Sequence, residues 1–171
     1  MTNQEQSGIL ENWLAKYKAL IFKIVRSYAF TPMDRDDLFQ EISVQLWRSI
    51  PSFRGDCAVT TWLYRISLNT AIRFSQRERK RSGNSSELHD SYHHVLIEPG
   101  SNREERLEWL YNEIAKLNEI DRSITLLMLD DFSYREMASI IGMTESNIGV
   151  RINRIKKQLT EKSKEYDRYG V

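Results

Sequence analysis

Ser133-Tyr134-Arg135-Glu136-Met137-Ala138-Ser139-Ile140-Ile141-Gly142-Met143-Thr144 is the stretch on which the reading of the whole chain turns. Ser133 followed three residues later by Glu136 is a capping box, in which each side chain satisfies a free backbone amide of the other at a helix start. Met137, Ala138 and Ile141 form the inner side of the short helix that follows. Gly142 stands where the chain must turn and where a residue tolerant of positive φ is wanted. Thr144 opens a second helix, whose apolar residues Ile148, Ile152, Ile155 and Leu159 recur at intervals of four, three and four. At 100° per residue these fall within about 60° of one another. The opposite side carries Ser146, Val150, Asn153, Arg154 and Lys157. Asn and Arg make two-pronged contacts with base edges, Lys meets phosphate and Val touches a thymine methyl. The segment reads as a helix-turn-helix for duplex DNA.

Working outward, everything periodic in the chain has the helical period, and no strand alternation emerges. Leu10, Trp13, Leu14, Tyr17, Leu20, Ile21, Ile24 and Tyr28 predict a first helix of about 20 residues, ended at Thr31-Pro32. Leu38, Ile42, Leu46 and Trp47 predict a second, entered through Asp34, Asp36 and Asp37, acids that suit a positive helix N-terminus. Ile50-Pro51 stops it, and a third helix is expected from about Thr60 to Arg79. A polar stretch beginning Ser82-Gly83-Asn84-Ser85-Ser86 and reaching about Asn102 reads as a linker. Leu107, Leu110, Tyr111, Ile114 and Leu117 predict a fourth helix, and Ile120, Ile124, Leu127 and Met128 a fifth. The expected fold is all-α: two small helical domains, residues 8–81 and 103–166, joined by a flexible linker, 82–102.

Net charge is only +1, so the balance of the whole chain says little about partners, but its distribution does. Residues 73–81 hold Arg73, Arg77, Arg79, Lys80 and Arg81 against Glu78, and Arg151, Arg154, Lys156 and Lys157 form a second basic cluster. Acid gathers around Asp34, Asp36, Asp37 and Glu41. A single cysteine, Cys57, rules out an intramolecular disulfide and fits a reducing compartment. No apolar run approaches the roughly 20 residues of a membrane span, and the first residues lack the order of a signal peptide. The expected location is cytoplasmic.

The third helix carries the second candidate site. Trp62, Arg65, Asn69 and Arg73 are spaced at three, four and four and form one stripe, with Leu63, Ile66, Thr70 and Phe74 on the packing flank. An aromatic face, two guanidiniums and an amide suit unstacked bases, each worth roughly 1–3 kcal/mol when stacked. The preceding loop, Phe53-Arg54-Gly55-Asp56-Cys57-Ala58, offers a pocket for a flipped base, with Gly55 allowing close backbone approach. A chain that reads duplex at one end and single strand at the other points to promoter opening.

Asp36-Asp37-Leu38-Phe39-Gln40-Glu41, Phe53-Arg54-Gly55-Asp56, Thr61-Trp62-Leu63-Tyr64-Arg65-Ile66 and Asn69-Thr70-Ala71, with the helix-turn-helix, resemble an extracytoplasmic-function (ECF) sigma factor of bacterial RNA polymerase over about residues 10–160. The resemblance implies that the first domain, region 2, binds the polymerase clamp through Asp36, Asp37, Leu38, Gln40, Glu41, Leu46 and Trp47. It implies that the loop from Phe53 to Ala58 captures a flipped base of the −10 element. Trp62, Tyr64, Arg65, Asn69 and Arg73 would then flank the opened strand. It further implies that the second domain, region 4, reads the −35 element through Ser146, Val150, Asn153, Arg154 and Lys157. Partners implied are core RNA polymerase, promoter DNA and, as in many relatives, an anti-sigma factor. Gly149 and Val150 depart from the family, where a basic residue and a small polar one are common.

A stand-alone helix-turn-helix regulator is the alternative; it accounts for residues 133–160 but leaves the Trp62 stripe and the acidic second helix unused. His89, His93 and His94 have helical spacing but sit in the polar linker without an organised acid cluster, so no metal or cofactor is expected. With no phosphate-cradling glycine loop and no paired catalytic carboxylates, the chain is not expected to be an enzyme.

Overall fold

The computed structural model describes residues 2–81 and 102–169, with side chains over 2–81 and 105–167. The expected linker, with His89, His93, His94, Tyr92, Val95, Leu96 and Ile97, lies outside the described residues apart from Asn102. The described residues form eight α-helices and no strand. The chain divides into two compact units, residues 1–99 and 100–171.

In the first unit, Thr2 caps α1 (Asn3–Lys16) in a capping box with Glu5, so the helix starts well before Leu10. Gln6 is buried and donates its amide to the Trp47 carbonyl at 2.5 Å. The single first helix expected from periodicity is two: the backbone leaves helical geometry at Tyr17 (φ −111°, ψ 21°) and resumes as α2 (Lys18–Tyr28). Neither proline nor glycine marks that joint, so the hydrophobic spacing runs straight across it. α3 (Pro32–Ser49) opens with proline at its first position, where a missing N–H costs nothing, and with the Thr31 hydroxyl accepting from the Asp34 amide at 3.1 Å. A 3-10 turn, Ile50–Ser52, follows, and α4 (Val59–Arg81) completes the domain.

α4 packs against both α2 and α3. Its Leu63, Tyr64, Leu68, Ala71 and Phe74 are buried against Ile21, Ile24, Val25, Leu38, Ile42 and Leu46. Each fully buried aliphatic side chain of this kind stabilises the fold by about 1.5–3 kcal/mol. Three expected contact residues belong instead to this core. Leu38, Leu46 and Tyr64 are all 0% exposed, so they hold the helices together and present nothing to a polymerase or a DNA strand.

In the second unit, α5 (Asn102–Lys116) and α6 (Glu119–Leu129) precede the hairpin α7 (Tyr134–Ile141) and α8 (Glu145–Tyr169). Ile114, Leu117, Ile124, Leu126, Leu127, Met137, Ile140, Ile148, Ile152 and Ile155 make the core. Ile140, not the expected Ile141, completes the inner side of α7. Ser133 Oγ accepts from the Glu136 amide at 3.3 Å while the Ser133 amide donates to Glu136 Oε2 at 2.8 Å, the reciprocal pairing of a capping box. Those hydrogen bonds from the Ser133 side chain and backbone hold the Glu136 carboxyl below its usual range. Gly142 ends α7 in the left-handed region (φ 80°) and donates to the Ala138 carbonyl, a conformation that a side chain would strain.

Candidate nucleic-acid interface

In the first domain the site begins at the turn after α3. The Phe53 amide donates to the Ile50 carbonyl at 3.0 Å, and the Phe53 ring sits between two tryptophans. Its centroid lies 5.3 Å from Trp13 of α1 at 89°, and 5.4 Å from Trp62 of α4 at 55°. Phe53 is therefore the anchor of its loop, fixing one end to the first turn of α4, and not a free recognition ring. Beyond it Arg54, Gly55, Asp56 and Ala58 are exposed and Cys57 is half-buried. Gly55 has φ 78° with open space where a Cβ would stand, so the backbone angle alone asks for glycine.

The stripe on α4 grades from embedded to free. Trp62 and Arg65 are half-buried, whereas Asn69 and Arg73 are exposed. The Trp62 indole N–H is enclosed without a hydrogen-bond acceptor, at a cost of about 1–3 kcal/mol. The structure thus brings loop 53–58 and the Trp62–Arg65–Asn69–Arg73 face to one side of α4, and excludes Tyr64, whose ring is interior under Lys23 Nζ at 5.9 Å.

On α3, Asp36, Asp37 and Gln40 are exposed, Trp47 is half-buried, and Glu41 is ion-paired with Arg77 of α4. Asp37, Gln40 and Glu41, with Val44, Arg48 and Phe74, line an open groove of about 670 Å³ between α3 and α4; Asp36 and Trp47 lie outside it. The groove mixes acid, base and exposed apolar surface, which is the chemistry of a protein-docking face.

In the second domain all five expected contact residues of α8, Ser146, Val150, Asn153, Arg154 and Lys157, are exposed, with Val150 at 66%. Sequence reasoning missed what lies behind them. Asp121 of α6, 4% exposed, accepts from Arg151 Nη1 at its Oδ1 and from Arg154 Nη2 at its Oδ2, each at 2.6 Å. The Asn118 amide also donates to Oδ2, at 2.7 Å. Burial alone would raise this carboxyl, but the hydrogen bonds from Arg151, Asn118 and Arg154 and the Arg154 charge hold it below its usual value. In sequence Asp121 reads only as an acid in a helix's first turn after the Asn118 cap; nothing local announces partners about 30 residues away.

Gly149 lies under Tyr134 of α7. A Cβ there would lie 3.4 Å from Tyr134 Cε2, an ordinary contact, so the first aromatic ring of α7 packs over this point of α8.

A helix-turn-helix with a polar outer face, and a separate helical domain whose helix α4 carries aromatic, guanidinium and amide groups, define a bipartite all-helical DNA-binding protein. Residues 13–81 match the family model for Sigma-70 region 2, and residues 107–159 that for Sigma-70 region 4. The chain is 30% identical over 162 residues to the ECF RNA polymerase sigma-E factor of Escherichia coli (strain K12), across 87% of this chain and 83% of that one. The sigma factor RpoE, solved in complex with the anti-sigma factor NepR from Bartonella quintana, is similar at TM-score 0.66 and 25% identity, covering 88% of this chain and 93% of that one. CnrH, solved with the cytosolic domain of CnrY, shares the fold at TM-score 0.66 and 19% identity, covering 95% and 94%. The chain belongs to the ECF sigma factors, non-catalytic initiation factors that bind core RNA polymerase and promoter DNA. A duplex-only regulator is not favoured, since region 2 would have no use in it. Among the described residues, no helix is long and apolar enough to cross a membrane.

Proposed function

We propose that this sigma factor divides promoter recognition between its domains, with region 2 spanning 8–81 and region 4 spanning 103–166. Asp36, Asp37, Gln40, Glu41 and Trp47 dock on the polymerase clamp, the acids meeting basic residues there. Arg54, Gly55, Asp56, Cys57 and Ala58 receive a flipped base of the −10 element, while Trp62, Arg65, Asn69 and Arg73 line the opened strand. Phe53 and Tyr64 support that surface from beneath. Ser146, Val150, Asn153, Arg154 and Lys157 read the −35 element in the major groove. The observation that carries this assignment is the single face shared by loop 53–58 and the α4 stripe, where half-buried aromatic and guanidinium groups grade into exposed amide and arginine. Stacking on such groups offsets the cost of unstacking a base.

The protein performs no chemistry of its own and works in the cytoplasm, where the polymerase is. An anti-sigma factor holds it when idle; its likeness to an RpoE solved with the anti-sigma factor NepR supports this. The test is run-off transcription from a genomic promoter library with purified bacterial core polymerase, with and without this protein. Protein-dependent transcripts sharing two upstream elements are expected. Absence of both transcripts and core binding in a parallel pull-down would end the proposal.

A further inference from the structure

The α8 arginines share a buried carboxylate, an arrangement that the assignment of Arg154 to −35 readout does not require. Arg151 and Arg154 stand three apart, on adjacent turns, and their guanidiniums converge on opposite oxygens of Asp121. The carboxylate is interior, with 6% of its side chain exposed, while the Arg154 side chain is 60% exposed and that of Arg151 is 29%. Arg154 therefore runs from the core to the DNA-facing surface, tethered at its inner nitrogen. A guanidinium has five N–H donors in a fixed fork. The bond to Asp121 uses one N–H of Arg154 Nη2, which leaves the other N–H groups of the guanidinium for a base edge or a phosphate. An acid in the first turn suits the start of α6, where Asn118 accepts from the Asp121 amide at 3.0 Å, but that role requires neither arginine.

We propose that Asp121 is a positioning residue for −35 recognition: it orders Arg154 before DNA arrives and neutralises part of the charge that Arg151 and Arg154 would otherwise offer to any phosphate backbone. This rests on the reading of Arg154 as a −35 contact. Ordering favours the sequence-specific contact, because a long side chain that is already fixed loses less freedom on binding. Neutralising disfavours indiscriminate binding, whose strength and salt dependence scale with the phosphates engaged. The two effects act together to widen the gap between preferred and random duplex.

The experiment measures, for the full chain, enrichment of the preferred sequence from a pool of duplexes with a randomised window, and affinity for unselected duplex across a salt series. Asp121→Asn keeps the shape and removes the charge. It is expected to reduce enrichment about tenfold while leaving unselected binding unchanged or tighter, with a salt slope steeper by about 1 for each phosphate newly engaged. In an Arg154→Ala background the same change is expected to cost no further enrichment, since Asp121 acts through that arginine. A purely structural carboxylate would weaken selected and unselected binding together and would add its loss to that of Arg154→Ala; either result overturns the proposal. Full enrichment in Asp121→Asn overturns it too, whereas full enrichment in Arg154→Ala overturns the −35 assignment of Arg154 itself. If Asp121→Asn does not fold, Asp121→Glu keeps the charge and moves it outward by one methylene. An unchanged selected sequence in that variant would also sink the idea, because a displaced anchor must move the fork it holds.

Discussion

The two DNA-directed surfaces are built on opposite plans. In region 2 the surface is part of the core: Trp62 and Arg65 are half-buried on a helix that packs against both α2 and α3, and the adjoining loop is pinned by Phe53 between Trp13 and Trp62. In region 4 it is an outer face, with Val150, Asn153, Arg154 and Lys157 standing in solvent above an Ile148–Ile152–Ile155 seam. An embedded surface couples binding to stability, because the groups proposed to meet a base also hold the fold. A peripheral surface separates them, and has to order its long side chains by other means; in this chain Asp121 serves that need. Opened bases need apolar, rigid platforms, which only a core edge supplies, while base edges in a groove need polar groups that reach.

The largest effect follows from that coupling. Phe53→Ala removes the ring between two tryptophans and is expected to destabilise region 2 by about 3 kcal/mol, the low end for loss of a large aromatic. It should also abolish strand opening at promoters. Chemical denaturation monitored by tryptophan fluorescence measures the first, and permanganate reactivity of promoter thymines the second. Normal opening in a destabilised Phe53→Ala would uncouple the two and break the contrast between the domains.

Next come substitutions that separate binding from opening. Trp62→Ala is expected to cost about 2 kcal/mol in open-complex formation, a middle value for one stacked base, while initial duplex binding is spared. Asn69→Ala, at an exposed position, should show the same selectivity without loss of stability. Equal weakening of closed-complex binding would remove both from the melting surface. Arg154→Ala is expected to weaken or relax −35 recognition by about 1–3 kcal/mol with little change in folding. Unchanged protection of that element in footprinting would take Arg154 out of the readout set.

The contrast also explains what the sequence made legible. A peripheral helix has one buried stripe, so spacing sorted α8 correctly, and all five residues placed on its outer side are exposed. α4 is buried on more than one side, so Tyr64, outside the Leu63–Phe74 flank, is interior as well and does not share the outer stripe. Leu38 and Leu46 lie on the acidic helix but not on its outer face: Asp36, Asp37 and Gln40 are on its exposed side and the two leucines on its buried one. The break at Tyr17 and the Asp121 pair were not legible. The first is a backbone rotation without a breaker residue, and the second joins side chains distant in sequence.

Acid titration sharpens the region 4 half of the comparison. The Asp121 carboxyl is held below its ordinary value of 3.8, so folding favours its ionised form. Its stabilising contribution is complete above that ordinary value and is lost as pH falls through the lowered one. Region 4 of the wild-type chain should therefore lose stability on acidification below about pH 4, and Asp121→Asn should flatten that limb. Thermal unfolding followed by circular dichroism across this range checks it. An identical acid limb in both proteins would assign the loss to other carboxylates.

The smallest effect tests the support behind the recognition helix. Gly149 sits within α8, where glycine is less favourable than alanine by about 1 kcal/mol. A methyl there would meet Tyr134 Cε2 at 3.4 Å, an ordinary contact, and Tyr134 is 44% exposed and able to yield. Gly149→Ala is therefore expected to raise the melting temperature of region 4 slightly and to leave the selected −35 sequence unchanged. A longer side chain would have to displace the Tyr134 ring, so Gly149→Arg should alter selection even where it does not destabilise. A lower melting temperature for Gly149→Ala would mean that the Tyr134 contact cannot relax. Close approach of α7 and α8, and not tolerance of a weak helix former, would then be the reason that glycine stands at this position.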